Sequence, residues 1–248
     1  MLILKSNKTQ YEYDIHSLVK AFYPEEEVRV LTPDSVIKDR MLLEKPAQME
    51  LVFEEETVLF RVAQNREYIW HIEEEEYDEY KNAFKRFLYT SLRKETGISL
   101  PWGNLTGIRP TKIAMTMLEE GRREEENLSF LERKHLVSRD KAALSLEIAE
   151  RERRILRPLH GENGYSLYIG IPFCPTTCLY CSFTSFPISA WKARVSDYLC
   201  ALEQEIEYTA AACRNRILDT VYIGGGTPTS LSAGQLESLL ATIEKAFS

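Results

Sequence analysis

The chain has 248 residues, 44% of them apolar and 28% charged, and 31 Lys and Arg stand against 38 Asp and Glu for a net charge of −7. That length builds one large domain or two smaller ones with hydrophobic cores, and the acidic balance speaks against a nucleic-acid partner, because neutralising phosphates needs a surplus of Lys and Arg. No run of about 18 apolar residues predicts a membrane span, and the N-terminus MLILKSNKTQYEYD lacks the apolar core and cleavage site of a signal peptide, so the reading is cytoplasmic, with no membrane partner and with thiols kept reduced.

LILK and EVRVL read as strands. Between them, YEYDIHSLVKAF carries Ile15, Leu18, Val19 and Phe22 at helical spacing. MELVFEEETVLFRVAQNREYIWHIE reads as two or three strands with turns near Glu54–Glu56 and Asn65–Arg66. A helix follows, acidic over 73–79 at its start and ended by Gly97, with Tyr77, Tyr80, Phe84, Phe87, Leu88 and Leu92 on its apolar face. The segment ISLPWGNLTGIRPTKIAMTMLEEG is broken by Pro101, Gly103 and Gly107, and Pro110 suits the first position of the next helix. WGNLTGIRPTK has two readings: a pocket lining in which Trp102 stacks and Arg109 meets a carboxylate, or a structural connector. A helix from about Ser138 ends in the basic run RERRILR, which complements its macrodipole. The Gly-bearing stretch PLHGENG then separates an α+β domain over 1–160 from a second domain over 161–248.

From Tyr165 the pattern becomes strand, loop, helix, strand, loop, helix. SLYIGI reads as a buried parallel strand. WKARVSDYLCALEQEIEYTAAAC reads as a helix with Val195, Leu199, Leu202 and Ile206 on one face, and Cys200 and Cys213 as small buried residues within it. LDTVYIGGG reads as a second buried strand. SAGQLESLLATIEKAF opens with Ser232 and Gln235 spaced as a capping box and turns Leu236, Leu239, Leu240, Ile243 and Phe247 inward. A βαβα run calls for parallel strands with right-handed crossovers.

In such folds the loops at the carboxyl ends of the strands carry the chemistry. The loop after the first strand holds three of the five cysteines, Cys174, Cys178 and Cys181, spaced C-x3-C-x2-C. A structural zinc site takes four ligands, and no second cysteine pair exists. Three thiolates instead suit a [4Fe–4S] cluster with one iron left open. The loop after the second strand is Gly224-Gly225-Gly226-Thr227-Pro228. Its missing Cβ atoms allow close approach to a ligand, and it does not fit the nucleoside-triphosphate P-loop.

CPTTCLYC with GGGTPT resembles the radical S-adenosylmethionine superfamily. The fuller phrases YIGIPFCPTTCLYCSF and VYIGGGTPTSLS resemble the oxygen-independent coproporphyrinogen III oxidase (dehydrogenase) family, and WGNLTGIRPTK its HemZ-type branch. The resemblance implies that Cys174, Cys178 and Cys181 ligate a [4Fe–4S] cluster whose open iron chelates S-adenosyl-L-methionine. It implies that Tyr168 contacts this cofactor beside the cluster, that Tyr180 meets its adenine, and that Gly224, Gly225, Gly226 and Thr227 hold its methionine end. It implies a 5′-deoxyadenosyl radical, oxidative decarboxylation of coproporphyrinogen III to protoporphyrinogen IX, and a low-potential electron donor such as a flavodoxin or ferredoxin. Phe183 stands where the well-characterised oxidases carry a fourth cysteine, and Gly170 where they carry His. The family's haem-chaperone branch also lacks that fourth cysteine, so a haem-handling role is the alternative. The family fold is a partial (β/α)6 barrel, of which this α/β segment supplies the first two βα units. The expectation is therefore a C-terminally truncated chain, inactive by itself.

Overall fold

The computed structural model describes residues 1–35, 46–62, 66–73, 76–107 and 109–248. The chain is mixed α/β and divides into two compact units, Met1–Arg154 and Ile155–Ser248. Parts of three expectations, at Asn65, at Glu74–Glu75 and at Ile108 in WGNLTGIRPTK, lie outside the described residues.

In the first unit, β1 (Leu2–Ser6), β2 (Val28–Leu31), β3 (Met49–Phe53), β4 (Thr57–Val62) and β5 (Arg66–His71) form one sheet in the order β2-β1-β3-β4-β5. β1 pairs in parallel with β2 and β3, and β3, β4 and β5 run antiparallel. The β1-to-β2 connection is α1 (Glu12–Phe22), which buries Ile15, Leu18, Val19 and Phe22, the four residues that the helical spacing picks out. The β3–β4 turn closes where Glu54 N–H donates to the Thr57 carbonyl at 2.9 Å. α2 (Tyr77–Thr96) packs Phe84, Leu88 and Leu92 into the same core, and it ends at Gly97, whose φ of 70° lets the chain turn left-handed. Tyr77, expected on its apolar face, is exposed.

A second cluster gathers Ala114 and Leu118 of α3 (Thr111–Glu119), Leu128 and Leu131 of α4 (Glu124–His135), and Ala142, Leu146 and Ala149 of α5 (Arg139–Leu156). The segment Trp102–Thr106 is the connector of the two readings offered. Trp102 and Leu105 pack on this cluster, and Asn104 N–H donates to the His135 carbonyl at 2.9 Å. Gly103, at φ 57°, lies so close that a Cβ would stand 2.0 Å from the same carbonyl oxygen. Arg109 is exposed and shows no carboxylate partner among the described residues.

In the second unit, β6 (Gly164–Ile171) pairs in parallel with β9 (Ile217–Gly225), and α7 (Val195–Ala212) connects them. The unit also contains a short α6 (Ile188–Trp191) and closes with α8 (Ala233–Ala246). The capping box forms: Gln235 N–H donates to Ser232 Oγ at 3.3 Å, and Ser232 N–H donates to Gln235 Oε1 at 2.9 Å. Ile169, Ile171, Val195, Leu202, Ile206, Leu239 and Ile243 make the core. Three expectations are corrected. SLYIGI is buried on one face only, through Ile169 and Ile171, while LDTVYIGGG is largely open: Val221 is 40% exposed, Ile223 is half-buried, and Tyr168 and Tyr222 on the other face are 61% and 66% exposed. Leu240 is exposed rather than inward, since α7 covers only the Leu239–Ile243 side of α8. Cys200 is exposed and Cys213 intermediate, not buried.

At the amino end of the strand pair, the Asp219 carboxylate accepts from His160 N–H at 3.1 Å and sits 2.6 Å from His160 Nδ1. This hydrogen bond holds the Asp219 carboxyl below its ordinary range. Gly164 makes room for it: a Cβ there would meet Asp219 Oδ2 at 1.9 Å.

Candidate functional site

Parallel pairing in register puts the two unusual loops at the same end of β6 and β9, with Gly170 opposite Gly224 and Ile171 opposite Gly225. The glycine loop is tied to the start of the cysteine loop by backbone bonds. Gly226 N–H donates to the Ile171 carbonyl at 2.7 Å, and Thr227 N–H donates to the Phe173 carbonyl at 2.8 Å. Ser230 Oγ also donates to Phe173 O, at 3.2 Å.

Glycine is required at two of these positions for different reasons. Gly225 has φ +100°, a region L side chains avoid, and a Cβ would lie 2.8 Å from the Ile171 backbone. Gly226 has no positive φ, but its Cβ would stand 2.7 Å from both Cys174 Sγ and the Phe173 carbonyl oxygen. The second loop thus forms a floor against which the first thiol packs, and Thr227 Oγ1 donates to Cys174 Sγ at 3.5 Å.

The cysteine loop is pinned at both ends. β7 (Phe173–Cys174) pairs with β8 (Phe186–Pro187), and Phe186 N–H donates to the Pro172 carbonyl at 2.8 Å. Within the loop, Cys181 N–H donates to the Cys178 carbonyl at 3.0 Å, a tight turn that places the second and third cysteines beside one another in the chain path. Cys174 is buried, Cys181 intermediate and Cys178 exposed. Leu179, Tyr180 and Phe183 also face solvent, Tyr180 at 89% exposure. Among the described residues, no group of three or more His, Cys, Asp or Glu side chains is drawn together closely enough to hold a metal ion.

The donor set nevertheless fits an iron–sulfur cluster in its chemistry. The loop from Cys174 to Phe183 offers three thiols and no carboxylate or imidazole, and thiolates are the ligands such clusters take. The missing Cβ of Gly226 at Cys174 Sγ is the space a bulkier residue would remove.

The structure therefore brings together Cys174, Gly224, Gly225, Gly226 and Thr227, with Tyr168 on the adjoining strand face, and leaves Cys178, Tyr180 and Cys181 on the exposed loop. It adds two residues. Tyr222 is the register partner of Tyr168, and their rings stack at 5.7 Å with 25° between planes. Both rings lie over Gly224, where a Cβ would come within 2.5 Å of Tyr222 and 2.9 Å of the Tyr168 hydroxyl. Tyr198 of α7 donates its hydroxyl to the Gly170 carbonyl and meets Phe173 edge-on at 5.3 Å. Strand alternation signals Tyr222, two residues before Gly224 and on its face; nothing local signals the reach of Tyr198.

No protein-family model matches the chain, and no solved structure matches it. Among curated proteins it is similar to the oxygen-independent coproporphyrinogen-III oxidase-like protein HemZ of Bacillus subtilis, at 34% identity over 71% of this chain and 36% of that protein. It is 48% identical to the haem chaperone HemW of Bacillus subtilis over 32% of this chain and 21% of the chaperone. It is 39% identical to the oxygen-independent coproporphyrinogen III oxidase of Pseudomonas aeruginosa over 32% of this chain and 17% of the oxidase. The matches span between 17% and 36% of the length of these relatives.

Proposed function

Because the chain belongs to the haem-related radical S-adenosylmethionine family that contains these proteins, we propose that Cys174, Cys178 and Cys181 hold a [4Fe–4S] cluster and that the neighbouring glycine loop holds S-adenosyl-L-methionine. The observation that carries the reading is the packing of Gly226 and Thr227 against Cys174 at the shared carboxyl end of β6 and β9. When bound, the cluster and S-adenosylmethionine supply a carbon-centred radical able to take hydrogen from an unactivated C–H bond, which side-chain acids and bases cannot do. The residues of this chain bind and position. Gly224–Gly226 give a ligand access to backbone, Thr227 holds the first thiol, and Tyr168 offers an exposed ring beside the loops.

In a protein of the relatives' full length, the reaction assigned is oxidative decarboxylation of the propionates of coproporphyrinogen III to give protoporphyrinogen IX, fed by a low-potential electron donor. The two βα units are then the start of a partial (β/α)6 barrel. A second reading, a haem chaperone, draws on Phe183, at the position where the family resemblance leads one to expect a fourth cysteine in an oxidase, and on the 48% identity to HemW.

The cluster is tested first, on this chain, by iron and sulfide content and by the electron paramagnetic resonance of the reduced protein with and without S-adenosylmethionine. A Cys178→Ala variant that kept a full cluster would sink the ligand assignment. The two readings then separate when a full-length protein is incubated anaerobically with coproporphyrinogen III, S-adenosylmethionine and reductant. Vinyl product means the oxidase; stoichiometric haem binding without product means the chaperone.

A further inference from the structure

Far from the cysteines in sequence, the first unit carries an open groove of about 580 Å³ between β5 and the helices α2 and α4. Four consecutive residues of β5, Glu67 to Trp70, line one side, so the groove runs along the strand's edge rather than over one of its faces. β5 ends the sheet among the described residues.

Exposed sheet edges are usually blunted by Pro, Lys, bulges or inward-facing charges. β5 carries one of these, at its first residue, where Arg66 turns to the helix side and pairs with Glu95 of α2; Glu67 to Trp70 carry no Pro, Lys or bulge. Its sequence is REYIWH, its pairing with β4 is regular over all six residues, and Ile69 projects outward at 53% exposure. The edge is therefore a regular template with backbone donors and acceptors available to another extended chain.

The charges on the opposite wall define what that chain carries. Arg86 and Lys94 of α2 and Arg133 of α4 line the groove, and none makes an ion pair among the described residues. The carboxylates nearby are already paired. Glu67 meets Arg61 at 2.6 Å, a cation it shares with Glu50 at 3.2 Å, Glu95 pairs with Arg66 at 3.2 Å, and Glu79 pairs with Lys134. Three cations thus stand in one groove without an ion-pair partner among the described residues, in a chain whose net charge is −7; Lys94 lies over the Tyr68 ring at 5.8 Å and Arg133 Nε donates to the Ser129 carbonyl at 3.4 Å. His135, at the end of α4, registers the local field: burial first, then Lys134, Lys85 and Arg86, push its imidazole down to about 4.

We propose that β5 is a docking edge for an acidic, extended peptide segment of a partner protein, which adds as a further strand. Side chains on the helix side of the added strand meet Arg86, Lys94 and Arg133 beside Trp70 and Phe87, whose rings stack at 6.1 Å. Those on the other side lie next to Ile69. Alternating acidic and β-branched residues satisfy both walls. Self-pairing of β5 between two copies is disfavoured, because it doubles this positive charge along one seam.

The probe is a fluorescein-labelled peptide of about seven residues alternating Glu and Val, titrated with the chain and read by fluorescence anisotropy. A Lys–Val peptide serves as control. Expected are saturable binding of the acidic peptide alone, weakening as salt rises from about 50 to about 200 mM, and slowed amide exchange at residues 67–70. Arg86→Glu combined with Lys94→Glu should lower affinity about tenfold or more, and Ile69→Lys should weaken it independently. Amide exchange of β1 and β3 verifies that these variants remain folded, and Lys245→Glu in the second unit should change nothing. No saturation by about 1 mM peptide, equal binding of the Lys–Val peptide, or a concentration-dependent dimer that the peptide does not dissociate would each overturn the proposal.

Discussion

Gly226→Ala tests whether the two loops form one site. Its Cβ would stand 2.7 Å from the Phe173 carbonyl oxygen and 2.7 Å from Cys174 Sγ, about 0.7 Å inside the 3.4 Å at which ordinary contact begins. The thiol is at the end of a short side chain and can rotate away. The carbonyl cannot, because it accepts from Thr227 N–H at 2.8 Å and from Ser230 Oγ at 3.2 Å. Relieving the overlap costs about 1–3 kcal/mol as overpacking, and loosening those bonds adds about 1 kcal/mol. A total of about 2–4 kcal/mol corresponds to roughly 30- to 700-fold faster amide exchange. The chain has two units and need not unfold in one step, so the assay is residue-resolved exchange. β6 and β9 should lose protection while β1 and β3 keep theirs, and iron bound after anaerobic reconstitution should fall below half that of the parent. Gly234→Ala is the control: nothing lies within 4 Å of its Cβ, and in α8 it should stabilise by about 0.5–1 kcal/mol. Parent-like protection together with full iron in Gly226→Ala would refute the argument that these loops share a packed floor.

The first unit should lose stability in mild acid. His135 is neutral in the fold with its pKa lowered from 6.5 to about 4, so the unfolded chain takes up a proton that the folded one refuses. The stability present above about pH 6.5 falls away toward about pH 4, by at most about 3 kcal/mol, and His135→Gln should flatten that slope in exchange measured on β1, β3 and α4. Gly164→Ala should displace the Asp219 carboxylate from His160. Combined with Asp219→Ala it should cost less than the sum of the two, by about 0.5–3 kcal/mol in a double-mutant cycle; additivity would show that the two do not compete for space. Tyr198→Phe removes the bond to the Gly170 carbonyl and should cost about 1 kcal/mol, seen as faster exchange confined to the second unit.

Local signals carried most of the fold. The Ser232–Gln235 box, Gly97 and the face of α1 all depend on neighbours within one or two turns, and each is where its residues place it. α4 escaped because its buried face includes Asn127 and His135 beside Leu128 and Leu131. Polar residues at core positions erase the apolar period that reveals a helix. Leu240 and Cys200 depart from the sequence expectation for the opposite reason: a helix with one neighbour buries a narrower stripe than its apolar residues suggest. At the candidate site, the cysteines and glycines are legible because their chemistry is rare. Tyr198 is not, since it reaches Gly170 from another element, across 28 positions of sequence.

The unequal burial of the three loop thiols implies a sequence of oxidative damage. Cys178 is exposed, Cys181 is intermediate, and Cys174 is sheltered by Gly226 and Thr227. Where thiols are otherwise alike, access governs which is alkylated or oxidised first. Air should therefore strike the tip of the loop before its base, leaving a protein that keeps one intact thiol against its glycine floor. A timed alkylation map of Cys178, Cys181 and Cys174 would read how far that erosion has gone in any preparation before iron is offered to it.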